Sequence, residues 1–365
     1  MTRAITWAVV GLCACASAVS AVPTKPADGR PPKIIIDTDF NTIGDDGQTL
    51  AMAAQLHKSN VVEILGLTLV TGNHWLAQGV SDCLKAVERL GIEKDVGVYV
   101  GANEPFLHTY AAYQLEKQRF GNGSLYVGAY TAPPPKPEEV VAPPDGFATH
   151  TTPRQQGAAQ FIIDTLHKYP NEVTILAIAP LTNLALALRL DPTIAPLLRG
   201  IVFMGGNLYT PGNSYRGAGE TNWWLDPESA RVVLRAPIPN KVHHTLDLTN
   251  TVRIENATYD RISTHEPATA VTTLFRDHGE RWHYAYDAVA LASLVDPTLR
   301  RDVRELYVDV SCEFDETYGK GLVWTEDPYP GTGLTTASSA VFSVDNERFL
   351  ELYVDLLTRP IVVSS

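Results

Sequence analysis

The chain has 365 residues, of which 45% are hydrophobic and 19% charged, and its formal net charge is −12. This composition is ordinary for a globular protein that buries a sizeable core, and the acidic balance excludes a general nucleic-acid-binding role, which needs a basic face. After the N-terminus, no stretch is apolar over the roughly 18–20 residues that a membrane span needs.

The N-terminus has the pattern of a secretory signal peptide. Arg3 precedes the apolar run AITWAVVGLCACASAVSA, which ends in small residues that fit cleavage after Ala21. Residues 1–21 are therefore predicted to be a signal peptide, and residues 22–32 a flexible Pro-rich lead-in. A membrane anchor is the alternative, but the run is short. We expect a secreted, extracellular protein with no membrane attachment after cleavage.

The cysteines and glycosylation signals fit this expectation. Cleavage leaves only Cys83 and Cys312, so one disulfide is possible but a disulfide scaffold is not. Two sequons, NGS at residues 122–124 and NAT at 256–258, predict a glycoprotein if the host is eukaryotic.

Short apolar runs then alternate with helical patterns along the chain. The predicted strands are residues 33–38, 62–70, 96–100, 173–177, 200–204 and 241–245. The predicted helices are residues 46–58, 76–90, 155–168, 181–190, 227–234, 287–294 and 346–357. Alternating strands and helices predict an α/β fold, an open and mainly parallel sheet with helices on both faces. The continuous apolar strands are typical of such a buried, Rossmann-like sheet.

One stretch interrupts this alternation. Residues 129–153 contain seven prolines and are predicted to be a Pro-rich surface insertion. No linker divides the rest of the chain, so residues 33–365 are predicted to form a single domain.

Carboxylates and amides follow the predicted strands. Asp37 and Asp39 end the first strand, Asp45 and Asp46 come just after them, and Asn73 follows the second strand. Further amides and one glutamate follow the later strands, at Asn183, Asn207, Asn213, Glu220 and Asn222. Because ligands bind at the carboxyl ends of the strands in open α/β sheets, this edge is the predicted site.

Four aspartates this close repel one another unless some are protonated or a cation neutralises them. Oxygen ligands without a His or Cys cluster indicate Ca²⁺ or Mg²⁺ rather than zinc. The alternative is helix capping by Asp45 and Asp46, favoured by the helix dipole. Capping does not explain Asp37 and Asp39 at the end of an apolar strand.

Five motifs in this order resemble the nucleoside hydrolase family, the inosine–uridine-type N-ribohydrolases. The motifs are DTDFNTIGDD, TLVTGN, ILAIAPLTNLALAL, IVFMGGN…GN…GETNWWLDPESA and YDAVALASLVDP. The resemblance implies hydrolysis of the N-glycosidic bond of small-molecule ribonucleosides to free base and ribose. The chain departs from the family in a longer loop before Asp45 and in GQTLAMA where relatives usually have ALAL.

The resemblance also implies a Ca²⁺ site. The implied ligands are Asp39, Asp46, Asp287 and the main-chain carbonyl of Ile178. Asp39 is in addition the implied general base for the attacking water.

The substrate contacts follow from the same motifs. Asp45 and Asn222 are implied to hold the ribose 2′- and 3′-hydroxyls, and Glu220 and Asn213 the 5′-hydroxyl. Asn73 is implied to position the water or the base. Carboxylates and amides suit the positive charge that develops on the ribose ring in the transition state.

The leaving-group residue differs from many relatives, which have a histidine where this chain has Tyr286. A tyrosine, with an ordinary pKa near 10, is a poorer proton donor at neutral pH than a histidine near 6.5. We therefore expect Tyr286 to orient or stack on the base, and His283, another pocket group or solvent to supply the proton. Trp282 is expected to wall the base pocket. A structural role for His283 is the alternative.

Other functions remain open on the sequence. One is a catalytically inactive secreted member that binds ribosyl ligands, and a second is a phosphohydrolase of the haloacid dehalogenase type, which also begins with Asp-x-Asp. The family resemblance makes a homo-oligomer an alternative to a monomer, and does not rank purine against pyrimidine nucleosides.

Overall fold

The computed structural model describes residues 29–123 and 125–361. The predicted signal peptide, residues 22–28 of the lead-in and one residue of the first sequon, Ser124, lie outside this part of the chain. No helix among the described residues is long and apolar enough to cross a membrane.

Strands and helices alternate through the first two thirds of the chain. The strands are β1 (Lys33–Thr38), β2 (Glu63–Leu69), β3 (Gly97–Val100), β4 (Val173–Ala177), β5 (Gly200–Met204), β6 (Lys241–His244), β7 (Arg253–Ile254), β8 (His283–Tyr284), β9 (Val303–Val310), β10 (Gly321–Trp324) and β11 (Ala337–Val341). The helices are α1 (Asp45–Lys58), α2 (Leu76–Arg89), α3 (Tyr110–Phe120), α4 (Ala158–Lys168), α5 (Thr182–Leu190), α6 (Thr221–Leu225), α7 (Pro227–Arg235), α8 (Leu246–Thr249), α9 (Asn256–Ser263), α10 (Ala270–His278), α11 (Tyr286–Val295) and α12 (Asn346–Thr358).

Nine of the described strands form one sheet, in the order β10-β9-β11-β6-β5-β4-β1-β2-β3. All neighbours from β11 to β3 pair in parallel, whereas β9 runs antiparallel to both β10 and β11. The prediction of an open, mainly parallel α/β sheet with helices on both faces is therefore confirmed.

The first strand shows why both faces of the sheet are covered. Ile34 and Ile36 point into a core built with α1, α2, α11 and α12, whereas Ile35 points into a second core with α4, α5 and α7. Successive side chains of a strand point to opposite faces, so a strand buried on both sides is apolar throughout. Of the two remaining cysteines, Cys83 lies in the first core and Cys312 packs against the second, and both are free thiols.

The strand order reverses at β1. The chain goes from β1 to β2 and β3 on one side, then returns to β4, β5 and β6 on the other. The carboxyl ends of β1 and β4 therefore open onto a crevice at the topological switch point, where ligands bind in open α/β sheets.

The C-terminal third differs from the prediction, which placed no strand after residues 241–245. β9, β10 and β11 extend the sheet beyond β6. The first half of β9 is exposed and carries Arg304 and Glu305, so it lacks the continuous apolar run that identified the central strands. The Pro-rich stretch 129–153 has short 3₁₀ turns and otherwise no helix or strand, but its first residues are buried: Ala129 and Tyr130 pack in an aromatic cluster with Trp75 and Trp224.

Candidate active site

The aspartate-rich segment begins where β1 ends and finishes in the first turn of α1. Asp39 is buried, and its Oδ2 accepts a hydrogen bond from the backbone N–H of Asn73 at 2.6 Å. A Cβ on Gly72 would lie 2.0 Å from the same oxygen, so only glycine lets the β2–α2 loop approach Asp39 this closely. Asp45 and Asp46 begin α1.

Three carboxylates converge beside Asp39. Asp45, Asp46 and Asp287 each present an oxygen, and these three oxygens lie within 4.8 Å of one another. Asn73 links this group to Asp39, because its side-chain Nδ2 donates to Asp46 Oδ2 at 2.8 Å. The remaining oxygen of Asp46 accepts a hydrogen bond from the Thr38 hydroxyl.

Burial and mutual repulsion perturb this group strongly. Burial, followed by the neighbouring carboxylates, raises the pKa of Asp39 and Asp287 well above the ordinary range. The same two causes raise the pKa of Asp46 to about 8, and burial raises that of Asp45. Charges this crowded need a cation to stay ionised together at neutral pH.

The residues present fit a hard divalent cation. Asp39 Oδ1 is buried without a hydrogen-bond partner, which leaves a free ligand atom next to the three converging carboxylates. Ile178 lines the same cavity at the end of β4, where its N–H donates to the Asp37 carbonyl at 2.9 Å. An all-oxygen donor set of this kind is typical of Ca²⁺ or Mg²⁺ sites.

Asp37 has a different place from the other aspartates. Its Oδ1 accepts hydrogen bonds from the Thr68 hydroxyl at 2.6 Å and from Asn183 Nδ2 at 2.8 Å, and burial raises its pKa to about 6. Asn183 Oδ1 also accepts from the Ala102 N–H at 2.9 Å. Asp37 and Asn183 thus tie β1, β2 and α5 together beneath the cavity.

Three of the four residues predicted to hold the ribose line the cavity outside the carboxylate group, which contains the fourth, Asp45. Glu220 precedes α6, and its carboxylate accepts hydrogen bonds from the N–H groups of Gly206 and Asn222, both at 2.8 Å. Burial raises its pKa to about 7. Asn222 Nδ2 donates to the Met204 carbonyl at 3.2 Å. Asn213 Oδ1 accepts from both the N–H and the hydroxyl of Thr221 at 3.0 Å, so it faces the same cavity.

The two predicted leaving-group residues both line the cavity but have different neighbours. Tyr286 lines the cavity beside Asp45, and burial and that carboxylate raise its pKa above the ordinary value. His283 also lines the cavity, but its Nε2 lies 3.2 Å from Gln48 Oε1 and its Nδ1 lies 3.0 Å from the Glu280 carbonyl. Burial lowers the pKa of His283.

Trp282 does not line the cavity. Its side chain is 49% exposed, packs edge-on against Tyr284 and lies 5.6 Å from the Arg253 guanidinium. His283 and Tyr284 both line the cavity, whereas the side chain of Trp282 lies against Tyr284 and Arg253 outside it.

Together these side chains line a cavity of about 610 Å³, a volume suited to a small-molecule ligand. The predicted site residues that line it are Asp39, Asp45, Asn73, Ile178, Asn213, Glu220, Asn222, His283, Tyr286 and Asp287. Asp46 lies behind this wall, against Asn73 and Thr38.

Sequence reasoning missed several of the residues that line the cavity, among them Gln48 and Tyr126. Gln48 Oε1 accepts a hydrogen bond from the Tyr353 hydroxyl at 2.5 Å and lies beside His283. Its signal was the departure GQTLAMA at the start of α1. Tyr126 precedes the Pro-rich insertion, and no motif marks it.

The chain is similar to several known proteins. A family model described as inosine-uridine preferring nucleoside hydrolase matches residues 34–351. The chain is 31% identical over 301 residues to the pyrimidine-specific ribonucleoside hydrolase RihB of Escherichia coli O17:K52:H18 (strain UMN026 / ExPEC), covering 79% of this chain and 86% of that protein.

Solved structures show the same fold. A plant nucleoside hydrolase, the PpNRh1 enzyme, superposes with a TM-score of 0.71 at 23% identity, covering 90% of this chain and 100% of that one. A purine-preferring ribonucleoside hydrolase from Gardnerella vaginalis superposes with a TM-score of 0.70 at 22% identity, covering 89% of this chain and 98% of that one.

Proposed function

The chain belongs to the inosine-uridine preferring nucleoside hydrolase family, and from this premise we propose a calcium-dependent nucleoside hydrolase that acts outside the cell. Cleavage of the N-glycosidic bond of ribonucleosides follows from membership of the family. The same membership removes the haloacid dehalogenase alternative. Calcium dependence and export do not follow from membership of the family and are our own additions to it.

The convergence of Asp45, Asp46 and Asp287 beside Asp39 carries the proposal of a metal. Without a cation, several of these buried carboxyl groups would stay protonated near neutral pH. A protonated carboxyl group carries no negative charge and cannot accept a proton from water. Bound to Asp39, Asp46, Asp287 and the Ile178 carbonyl, Ca²⁺ would lower the pKa of water and hold the ribose diol. An intact carboxylate group of this kind also favours an active enzyme over an inactive binding protein.

In the proposed reaction, water adds to the anomeric carbon of the ribose and the bond to the base breaks. Asp39 Oδ1 accepts no hydrogen bond from the described residues and is available to accept the proton of the attacking water. The Asp45 carboxylate and the Asn222 amide bind the 2′- and 3′-hydroxyls, and Glu220 and Asn213 bind the 5′-hydroxyl. Their oxygens stabilise the positive charge that builds on the ring.

The departing base leaves more easily when it is protonated or hydrogen-bonded. Tyr286 lies where it can orient the base, but its raised pKa makes it a weak acid. His283 is held between Gln48 and Glu280, and its lowered pKa keeps it mostly neutral at pH 7. We assign to Tyr286 the role of orienting the base, and we expect His283 or solvent to donate the proton to the departing base.

The substrate panel should begin with pyrimidine ribonucleosides, because the 31% identical relative is named as pyrimidine-specific. Inosine, guanosine and adenosine belong in the same panel, since the fold is shared with a purine-preferring enzyme. Export rests on the N-terminal pattern alone, and N-terminal sequencing of the protein from culture medium tests it. The homo-oligomer stays a prediction.

The test of the function is release of free base and ribose by the purified chain without residues 1–21. Full activity with Ca²⁺, loss after exhaustive chelation and recovery on adding Ca²⁺ are expected. Full activity in the rigorously metal-free protein would contradict the metal assignment. No release from any nucleoside would favour the inactive binding protein.

A further inference from the structure

Asn73 is held at three points, and the third comes from a distant part of the chain. Its backbone N–H donates to Asp39 and its Nδ2 donates to Asp46. Its Oδ1 accepts a hydrogen bond from the Tyr126 hydroxyl at 2.9 Å. Because both ends of the side-chain amide are hydrogen-bonded, the Asn73 side chain has one orientation. Asp39 and Asp46, which Asn73 contacts through its backbone N–H and its Nδ2, are two of the proposed calcium ligands.

The segment that carries Tyr126 is anchored on both sides of the cavity. Tyr126 forms a parallel β-bridge with Ser214, on the wall that carries the predicted ribose contacts. On the other side, the Ala129 N–H donates to the Gly72 carbonyl at 2.8 Å, next to Asn73. Gly128 permits this approach: its φ is +53°, and a Cβ there would lie 2.3 Å from the Gly72 oxygen.

The hydroxyl and the ring of Tyr126 have different surroundings. The ring lines the cavity and the residue is 50% exposed, so it is available to contact a ligand. The hydroxyl, in contrast, is used by Asn73. The hydroxyl can therefore affect Asp46 only by way of the Asn73 side chain, whereas the ring can contact a bound ligand directly.

We propose that Tyr126 is a positioning residue whose hydroxyl fixes the Asn73 amide and thereby the Asp46 carboxylate that holds the cation. The effect of Tyr126 on the cation rests on the proposed calcium site, and its effect on turnover rests on the proposed nucleoside hydrolysis. Substitution of Tyr126 by phenylalanine removes the hydroxyl and keeps the ring, which isolates this role.

A double-mutant cycle tests the proposal. The cycle compares wild type, Tyr126→Phe, Asn73→Ala and the double variant. For each protein, titration calorimetry gives the calcium affinity, and steady-state kinetics with the best nucleoside give kcat and KM. Tyr126→Phe should weaken calcium binding and lower kcat by about 3- to 10-fold each, the effect of one hydrogen bond, with KM changed less than about twofold. In the Asn73→Ala background it should change neither.

Tyr209→Phe is the matched control, because Tyr209 is 60% exposed and lies outside the cavity lining, and it should leave all three quantities unchanged. Asn73→Ser replaces Asn73→Ala if thermal melting shows that the latter does not fold. Coupling in calcium affinity is the deciding result. An unchanged calcium affinity in Tyr126→Phe, or an equal loss in both backgrounds, overturns the proposal. If wild type cleaves no nucleoside, the proposed function fails while the calcium cycle still decides this inference.

Discussion

At the scale of single residues, Asp46 is the carboxylate whose role is easiest to isolate. Both of its oxygens are occupied, one by Thr38 and one by Asn73, and it lies within reach of Asp45 and Asp287. Asp46→Asn keeps this shape and removes the charge. We expect the variant to fold, to lose the thermal stabilisation that Ca²⁺ gives to wild type, and to lose at least about a thousandfold in kcat.

Differential scanning calorimetry with and without Ca²⁺ measures the stabilisation directly. Glu138→Gln is the control, since Glu138 is exposed in the Pro-rich insertion, and it should keep the full calcium response. A calcium-induced shift in Asp46→Asn equal to that of wild type would remove Asp46 from the metal site.

The second prediction at this scale concerns the leaving group. General acid catalysis typically contributes about 10²–10⁴-fold, and the raised pKa of Tyr286 argues against that role for its hydroxyl. Tyr286→Phe should therefore lower kcat on inosine by less than about a hundredfold, and change little on p-nitrophenyl riboside, whose leaving group needs no proton. Steady-state kinetics on both substrates decide the assignment. A larger loss confined to inosine would show that Tyr286 is the acid.

At the scale of elements, the β1–α1 connection gives the metal site a pH dependence. Burial and repulsion raise the pKa of Asp46 to about 8 in the folded state, against about 4 in an unfolded chain. Without metal, the stability contributed by such a group is fully present below about pH 4 and is lost as the pH rises through about 8. A bound cation requires the ionised carboxylates, so it gains affinity over the same range.

The thermal stabilisation by saturating Ca²⁺ should therefore grow from pH 5 to pH 8. Melting curves with and without Ca²⁺ at each pH measure it, and the comparison cancels titrations that do not involve the metal. A stabilisation that is constant or falls with pH would mean that the cation does not bind this carboxylate group.

The junction of β1, β2 and α5 supports the site from below. Asn183 donates to Asp37 and to the Leu69 carbonyl, and accepts from Ala102. Asn183→Ala leaves these buried groups without a partner and should cost about 2–4 kcal/mol of unfolding free energy. Urea denaturation measures it, with Gln160→Ala, an exposed position on α4, as the control. A loss below about 1 kcal/mol would show that the junction is not a structural tie.

These elements also show how far the sequence predicts the molecule. The central strands are buried on both faces, so they are continuous apolar runs, and the polar residues that follow them come together at one edge, as the predicted site required. The first half of β9 is exposed, and charged residues interrupt the strand at Arg304, Glu305 and Asp309, so the antiparallel end of the sheet gave no such signal. Tyr126 reaches Asn73 across 53 residues of sequence, and a contact of that kind depends on packing, which no local pattern records.

At the scale of the whole molecule, the fold places every predicted oxygen ligand at one crevice. Asp39 follows β1, α1 contributes Asp46, α11 contributes Asp287, and Ile178 follows β4. The strand order reverses at β1, and residues that are far apart in sequence come together at this crevice. No lysine or arginine is among the described residues that line the cavity, so a bound cation would supply the counter-charge for this group.

The most direct test of the central claim is nucleoside hydrolysis by the chain without residues 1–21, followed by chromatography of the free base and a reducing-sugar assay for ribose. Assays use protein as purified, after exhaustive chelation, and after addition of Ca²⁺ to the chelated sample. We predict equal amounts of base and ribose, loss of both after chelation and recovery with Ca²⁺. Undiminished release by the metal-free protein, or no release from any ribonucleoside under any of these conditions, would contradict the account.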